Sequence, residues 1–218
     1  MRLVDLAHAI HDGLVTYPGL PAPVIRDHLS RADSRKTYAP GTEFHIGRIE
    51  MVANTGTYLD TPSHRFEGRP DLSGLALESV ANLEGVVVRP GSATGRRIGA
   101  AAFSGQDVRG KAVLVETGWD RHFGTPAYGA GHPFLTRDAA ERLRDGGAAL
   151  VGIDSLNVDD TADGTRPVHT VLLDAGILVV EHLTGLSALP AAGFRFFAVP
   201  PRVRGMGTFP VRAFALVP

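Results

Sequence analysis

Apolar residues fall in short Val/Ile-rich runs separated by Gly and Pro: 46–52 (IGRIEMV), 85–90 (GVVVRP), 112–117 (AVLVET), 149–154 (ALVGID), 177–181 (ILVVE), 194–200 (FRFFAVP) and 211–218 (VRAFALVP). Side chains branched at Cβ fit a pleated, buried surface, so these runs predict strands in a sheet-rich core. Helical pattern is clear in two places. Over 136–145 (TRDAAERLRD), Thr136 reads as the N-cap, Asp138 suits the positive helix start, and Gly146-Gly147 end the helix. Over 167–174 (PVHTVLLD), Pro167 opens a second helix and Gly176 follows its end. Strand, helix, strand between 149 and 181 predicts an α/β layer architecture. With no repeat and no low-complexity linker, the chain reads as one domain over 1–218.

Pro/Gly-rich segments at 13–23, 38–42, 124–133 and 200–210 read as surface loops. The segment 124–133 suits either a lid or a plain crossing loop.

Composition narrows the classes. At 218 residues, 44% hydrophobic and 21% charged, the chain is an ordinary globular one, not a disordered polymer. The absence of cysteine excludes a disulfide framework, a thiolate nucleophile and any Cys-based metal site, while nine histidines remain. A net charge of -1 argues against nucleic acid as a partner. No window of about 18 apolar residues exists, so no membrane span is predicted. Asp5, His8, His11 and Asp12 interrupt what would be the apolar part of an export signal, and a cytoplasmic protein is expected.

Polar chemistry concentrates in 53–68 (ANTGTYLDTPSHRFEG), where Asn54, Thr57, Tyr58, Asp60 and His64 crowd around a Gly and a Pro with no apolar period to account for them. In an extended segment Tyr58 and Asp60 share a face, and His64 can return to them across a turn after Pro62. A carboxylate beside an imidazole fits a metal ligand set or an acid/base pair, and equally a capped turn with a surface histidine.

This segment resembles the signature of the cyclase family of metal-dependent hydrolases, which includes bacterial kynurenine formamidase and isatin hydrolase: His-x-Gly-Thr-His-x-Asp-x-Pro-x-His. The chain reads Asn54-x-Gly56-Thr57-Tyr58-x-Asp60-x-Pro62-x-His64, matching five of seven defined positions. TYPG (16–19), TGWDRHFG (117–124), LVGID (150–154) and PVHTVLLDAGILVVEHL (167–183) extend the resemblance in order along nearly the whole chain. It implies a swivelling β/β/α fold with a mixed sheet core, in a homodimer or homotetramer. It also implies hydrolysis of a C–N amide bond, cyclic amide or arylformamide, or of a lactone, in a small-molecule substrate. Asp60, His169 and Glu181 are then ligands of one divalent ion, zinc or manganese, with iron also acceptable. His64 is the general acid and base. Asn54 and Tyr58 replace two histidines that hold a second ion in the family, and a neutral amide oxygen and a phenol are poor zinc ligands. Tyr58 is assigned instead as a donor to the oxyanion. A cyclase, dehydratase or isomerase on the same fold, or an inactive binding protein, is the alternative.

Tyr17, Asn54 and His132 are the candidate substrate contacts. Alternation along a strand ending at Glu181 points His182 away from the site. Asp154 and Asp159 either orient a liganding histidine or cap turns, and Trp119 reads as structural.

Overall fold

In the computed structural model, which describes residues 1–91 and 95–218, four of the apolar runs lie side by side. These are β5 (Leu83–Val88), β7 (Ala112–Val115), β9 (Leu150–Ile153) and β10 (Leu178–Glu181), all parallel in that order. They are apolar without alternation because both faces of a parallel sheet are covered. One face packs Val113, Val151 and Val179 beneath α2 (Arg137–Asp145) and α3 (Pro167–Asp174). The other packs Leu114, Leu150 and Val180 against Leu6, Leu72, Leu183 and Phe194. The two predicted helices are thus both present, on one side of the sheet.

Antiparallel strands extend the sheet at both edges. On the β5 side stand β11 (Ala192–Phe197), β13 (Phe214–Val217) and β1 (Arg2–Asp5); on the β10 side stand β4 (Tyr58–Asp60) and β12 (Thr208–Pro210). The result is a mixed nine-stranded sheet in an α/β architecture.

The run at 46–52 departs from expectation. Its strand β3 (Ile46–Glu50) pairs only with β2 (Val24–Leu29), as a two-stranded ribbon, and all five of its residues are exposed. Gly47, Arg48 and Glu50 leave it too polar to enter a core covered on both faces. The loop 124–133 is pinned rather than free: Tyr128 is buried, and its carbonyl accepts a 3.0 Å hydrogen bond from the indole of Trp119. Among the described residues no helix is long and apolar enough to cross a membrane.

Candidate metal centre

The site forms where β4 is inserted between β10 and β12. Antiparallel register sets Tyr58 opposite Glu181, and Asp60 opposite Val179 on one side and Thr208 on the other. Alternation along β4 puts Tyr58 and Asp60 on one face, as the sequence predicts. Pro62 then opens a 3-10 turn, Pro62–His64, that folds His64 back over Asp60. Gly207 makes this possible, since a Cβ there would collide with the backbone of His64. His169 arrives from the first turn of α3.

Asp60, His64 and His169 each offer a ligand atom within 4.8 Å of the others. His169 Nε2 lies 3.6 Å from Asp60 Oδ2 and 3.7 Å from Glu181 Oε1, so Glu181 borders the group on the His169 side without being one of its three members. Asp60, His169 and Glu181 are all buried. Asp60 Oδ2 accepts no hydrogen bond among the described residues, although a buried carboxylate oxygen left bare is costly. The imidazole of His169 carries its other nitrogen, Nδ1, 2.7 Å from Asp159 Oδ2. A carboxylate accepts only, so Nδ1 holds the proton and the Nε2 lone pair faces the two other carboxylates. Asp60, His64 and His169 are thus placed where they could hold one divalent cation.

The electrostatics match. Burial by itself would lower the pKa of His169, but the hydrogen bond to Asp159 and the neighbouring carboxylates of Asp60 and Glu181 raise it to about 10. Burial, reinforced by the charge of Asp60, raises Glu181 to about 7 despite the opposing charge of His169. Asp60 also suffers from burial, yet His64 and His169 hold it below its ordinary value. Without a cation, a proton shared among these groups balances the charge.

Asp60 has a second partner unnoticed in the sequence. The Thr208 hydroxyl donates to Asp60 Oδ1, and His64 Nδ1 lies 2.7 Å from the same hydroxyl. With its proton committed to the carboxylate, the hydroxyl must accept from His64 Nδ1–H. The lone pair of neutral His64 is therefore on Nε2.

Glu181 is held by three donors: the Val158 amide to Oε1 at 2.7 Å, and the Tyr58 phenol at 2.7 Å and the Asn157 amide at 3.2 Å to Oε2. The Tyr58 proton thus points at Glu181, and the phenol is a clamp on this carboxylate rather than a free oxyanion donor. Burial and the charges of Glu181 and Asp60 raise its pKa well above the ordinary value, so it stays neutral and makes a poor cation ligand. The second ion position does not fit the residues present.

His182 corrects another expectation. The strand ends at Glu181, and His182 adopts a left-handed backbone with φ of 56°. Its Nε2 comes to 3.1 Å from the Tyr58 oxygen and its Nδ1 to 2.9 Å from that of Tyr128. A directed chain results, Tyr128 to His182 to Tyr58 to Glu181, with each group donating to the next.

A cavity of about 430 Å³ opens over the cluster and is lined by Tyr17, Asn54, Tyr58, His64 and, at its rim, Arg65 and Arg166 among others. Tyr17 and Asn54 lie where substrate contacts were expected. His132 does not line it: the ring is buried, with Nε2 3.0 Å from the carbonyl oxygen of Asp159, so it props the loop that orients His169. Asp159 orients a histidine and also accepts from the Val168 and His169 amides at the start of α3. Asp154 takes the other expected role, capping the turn at Thr117 and Gly118. Thr208, Asn157 and Arg166 carry no motif that would have marked them.

Comparison with known proteins shows the family and the fold. The sequence profile of the Cyclase family, described as "Putative cyclase", matches residues 4–160. The kynurenine formamidase of Salinibacter ruber is 25% identical over 221 residues, covering 98% of this chain and 96% of its own. The kynurenine formamidase of Geobacillus thermodenitrificans is 25% identical over 213 residues, covering 96% and 95%. Among solved structures, isatin hydrolase A from Labrenzia aggregata, bound to benzyl benzoate, superposes with a TM-score of 0.83 at 22% identity, covering 99% of this chain and 93% of that one. The chain belongs to the Cyclase family.

Proposed function

We propose that this protein is a metal-dependent hydrolase of a C–N amide bond in a small molecule, of the arylformamide or cyclic amide kind, with a lactone as a related possibility. The carrying observation is the bare, buried Asp60 Oδ2 facing His169 Nε2. Asp60, His169 and Glu181 would hold one divalent ion, zinc or manganese. When bound, it supplies Lewis-acid polarisation of the substrate carbonyl and acidifies water. The kynurenine formamidase and isatin hydrolase relatives support this reading.

His64 is assigned to proton transfer rather than ligation. Its side chain is 34% exposed toward the cavity, whereas those of His169 and Glu181 are buried. His64 Nε2 takes a proton from the attacking water and returns it to the departing nitrogen. Thr208 fixes the ring in the tautomer that permits this. Tyr58, Asn157 and the Val158 amide hold Glu181, and Tyr17 and Asn54 contact the substrate.

Homo-oligomerisation belongs to the same proposal. The exposed ribbon carries Ile25, Ile46 and Ile49, with Phe44 beside it, and two strands alone bury too little to be stable.

The test is metal content together with turnover. Protein purified without added metal should contain close to one zinc or manganese per chain and release formate from N-formylaniline. No ion after reconstitution, or no hydrolysis of any amide or lactone by loaded protein, would overturn the reading.

A further inference from the structure

Two guanidinium groups stand at the rim of the cavity without a carboxylate partner among the described residues. Arg65 donates through Nε to the Thr170 hydroxyl at 3.3 Å and lies 5.3 Å from the centroid of the Phe66 ring. Arg166 donates through Nη1 to the Asp160 carbonyl at 3.2 Å and lines the same cavity as Tyr17. Acids are not scarce nearby: Asp160 pairs with Arg96 and Asp174 with Arg69. Those two acids are taken by other arginines, Asp163 feels the charge of Arg166 without forming an ion pair with it, and the cavity's own two arginines make no ion pair among the described residues.

The backbone adds an independent sign. Arg166 adopts φ 48° and ψ 58°, a left-handed conformation immediately before Pro167. A residue with a Cβ rarely adopts this conformation. Such strain persists where the surroundings hold it, and it clusters at ligand sites. Here it sets a long cationic side chain against the cavity at the point where the chain enters α3.

We propose that Arg166, assisted by Arg65, binds a carboxylate of the substrate, so that the protein acts on acidic amides carrying an anionic group beside the scissile bond. This rests on the hydrolase reading for its reaction and on the cavity alone for its ligand. A guanidinium presents paired donors that match a carboxylate, and a fixed anionic contact orients the carbonyl over His64 and His169.

Two measurements separate this inference from the reading beneath it. The first is calorimetric binding of benzoate and benzamide to metal-free protein, where no ion can attract the carboxylate. Benzoate should bind at least about tenfold tighter, and Arg166→Asn should abolish the preference; asparagine tolerates the left-handed backbone, so the fold survives. Arg65→Gln, at an exposed position, should weaken it in part. The second is kinetics on N-formylanthranilate and N-formylaniline. Arg166→Asn should raise KM for the acid about tenfold with kcat little changed, and leave KM for the neutral amide within twofold. Equal binding of benzoate and benzamide, or a benzoate preference that survives Arg166→Asn, overturns the inference whether or not any amide is hydrolysed. Arginine-dependent benzoate binding without turnover would uphold it and discard the hydrolase reading.

Discussion

Nδ1 of His169 donates to Asp159 over 2.7 Å, and the same carboxylate receives the first amides of the helix that carries His169. One acidic side chain therefore fixes both the helix start and the direction of the imidazole lone pair. Asp159→Asn frees the ring to turn and removes basicity from it. Divalent cation affinity should fall about 10–100-fold, measured by titration of chelator-stripped protein. Unchanged affinity would show that the ring is held by packing alone.

Thr208 sets the tautomer of His64. Thr208→Val keeps the shape but removes the acceptor, leaving no bond to define which nitrogen carries the proton. General acid–base catalysis contributes about 10²–10⁴-fold, and kcat should drop by at least the lower figure, with a shifted pH–rate profile. Thr208→Ser should restore most of the rate, and its failure to do so would count against a hydroxyl role.

Tyr58→Phe removes a donor to Glu181 and leaves Nε2–H of buried His182 unpaired. An unsatisfied buried group costs about 1–3 kcal/mol, so a comparable loss of stability in urea unfolding is expected, with weaker ion binding. An intact Glu181 site with a selective loss of kcat would instead restore the phenol as an oxyanion donor.

His8 stacks on Phe123 at 3.6 Å between ring centroids, and its buried Nε2 has no hydrogen-bond partner among the described residues. Burial lowers its pKa to about 4 from an ordinary 6.5, against a small opposing effect of Asp120. A folded pKa below the unfolded one means the unfolded chain takes up the proton first. This group's contribution is intact above pH 6.5 and is lost as pH falls toward 4. His8→Phe should match or exceed the parent Tm at pH 7.5, and its advantage should widen at pH 5. A constant difference across that range would refute the assignment.

Gly207 has no room for a side chain against the His64 backbone. Gly207→Ala should cost about 1–3 kcal/mol, as overpacking does, and lower kcat by displacing His64. A variant with parental stability and rate would show that the 62–64 turn shifts freely.

The sequence by itself determined the six runs that become β5, β7, β9, β10, β11 and β13, both helices and the cluster of reactive residues at 58–64, because periodicity, turn residues and local polar density are properties of neighbouring positions. Tyr58 and Asp60 share a face for a reason that needs only the two-residue period of a strand. Thr208, His182 and Arg166 were decided elsewhere. Thr208 meets Asp60 only because β12 lies against β4, a pairing across 148 residues. His182 turns back only because its backbone leaves the strand conformation at a buried position. The exposed ribbon at 46–50 shows the converse, a strand pattern that lacks the apolar faces a covered sheet demands. Contacts of long sequence separation and left-handed backbone angles follow from how the whole sheet packs, and no local stretch of residues encodes them.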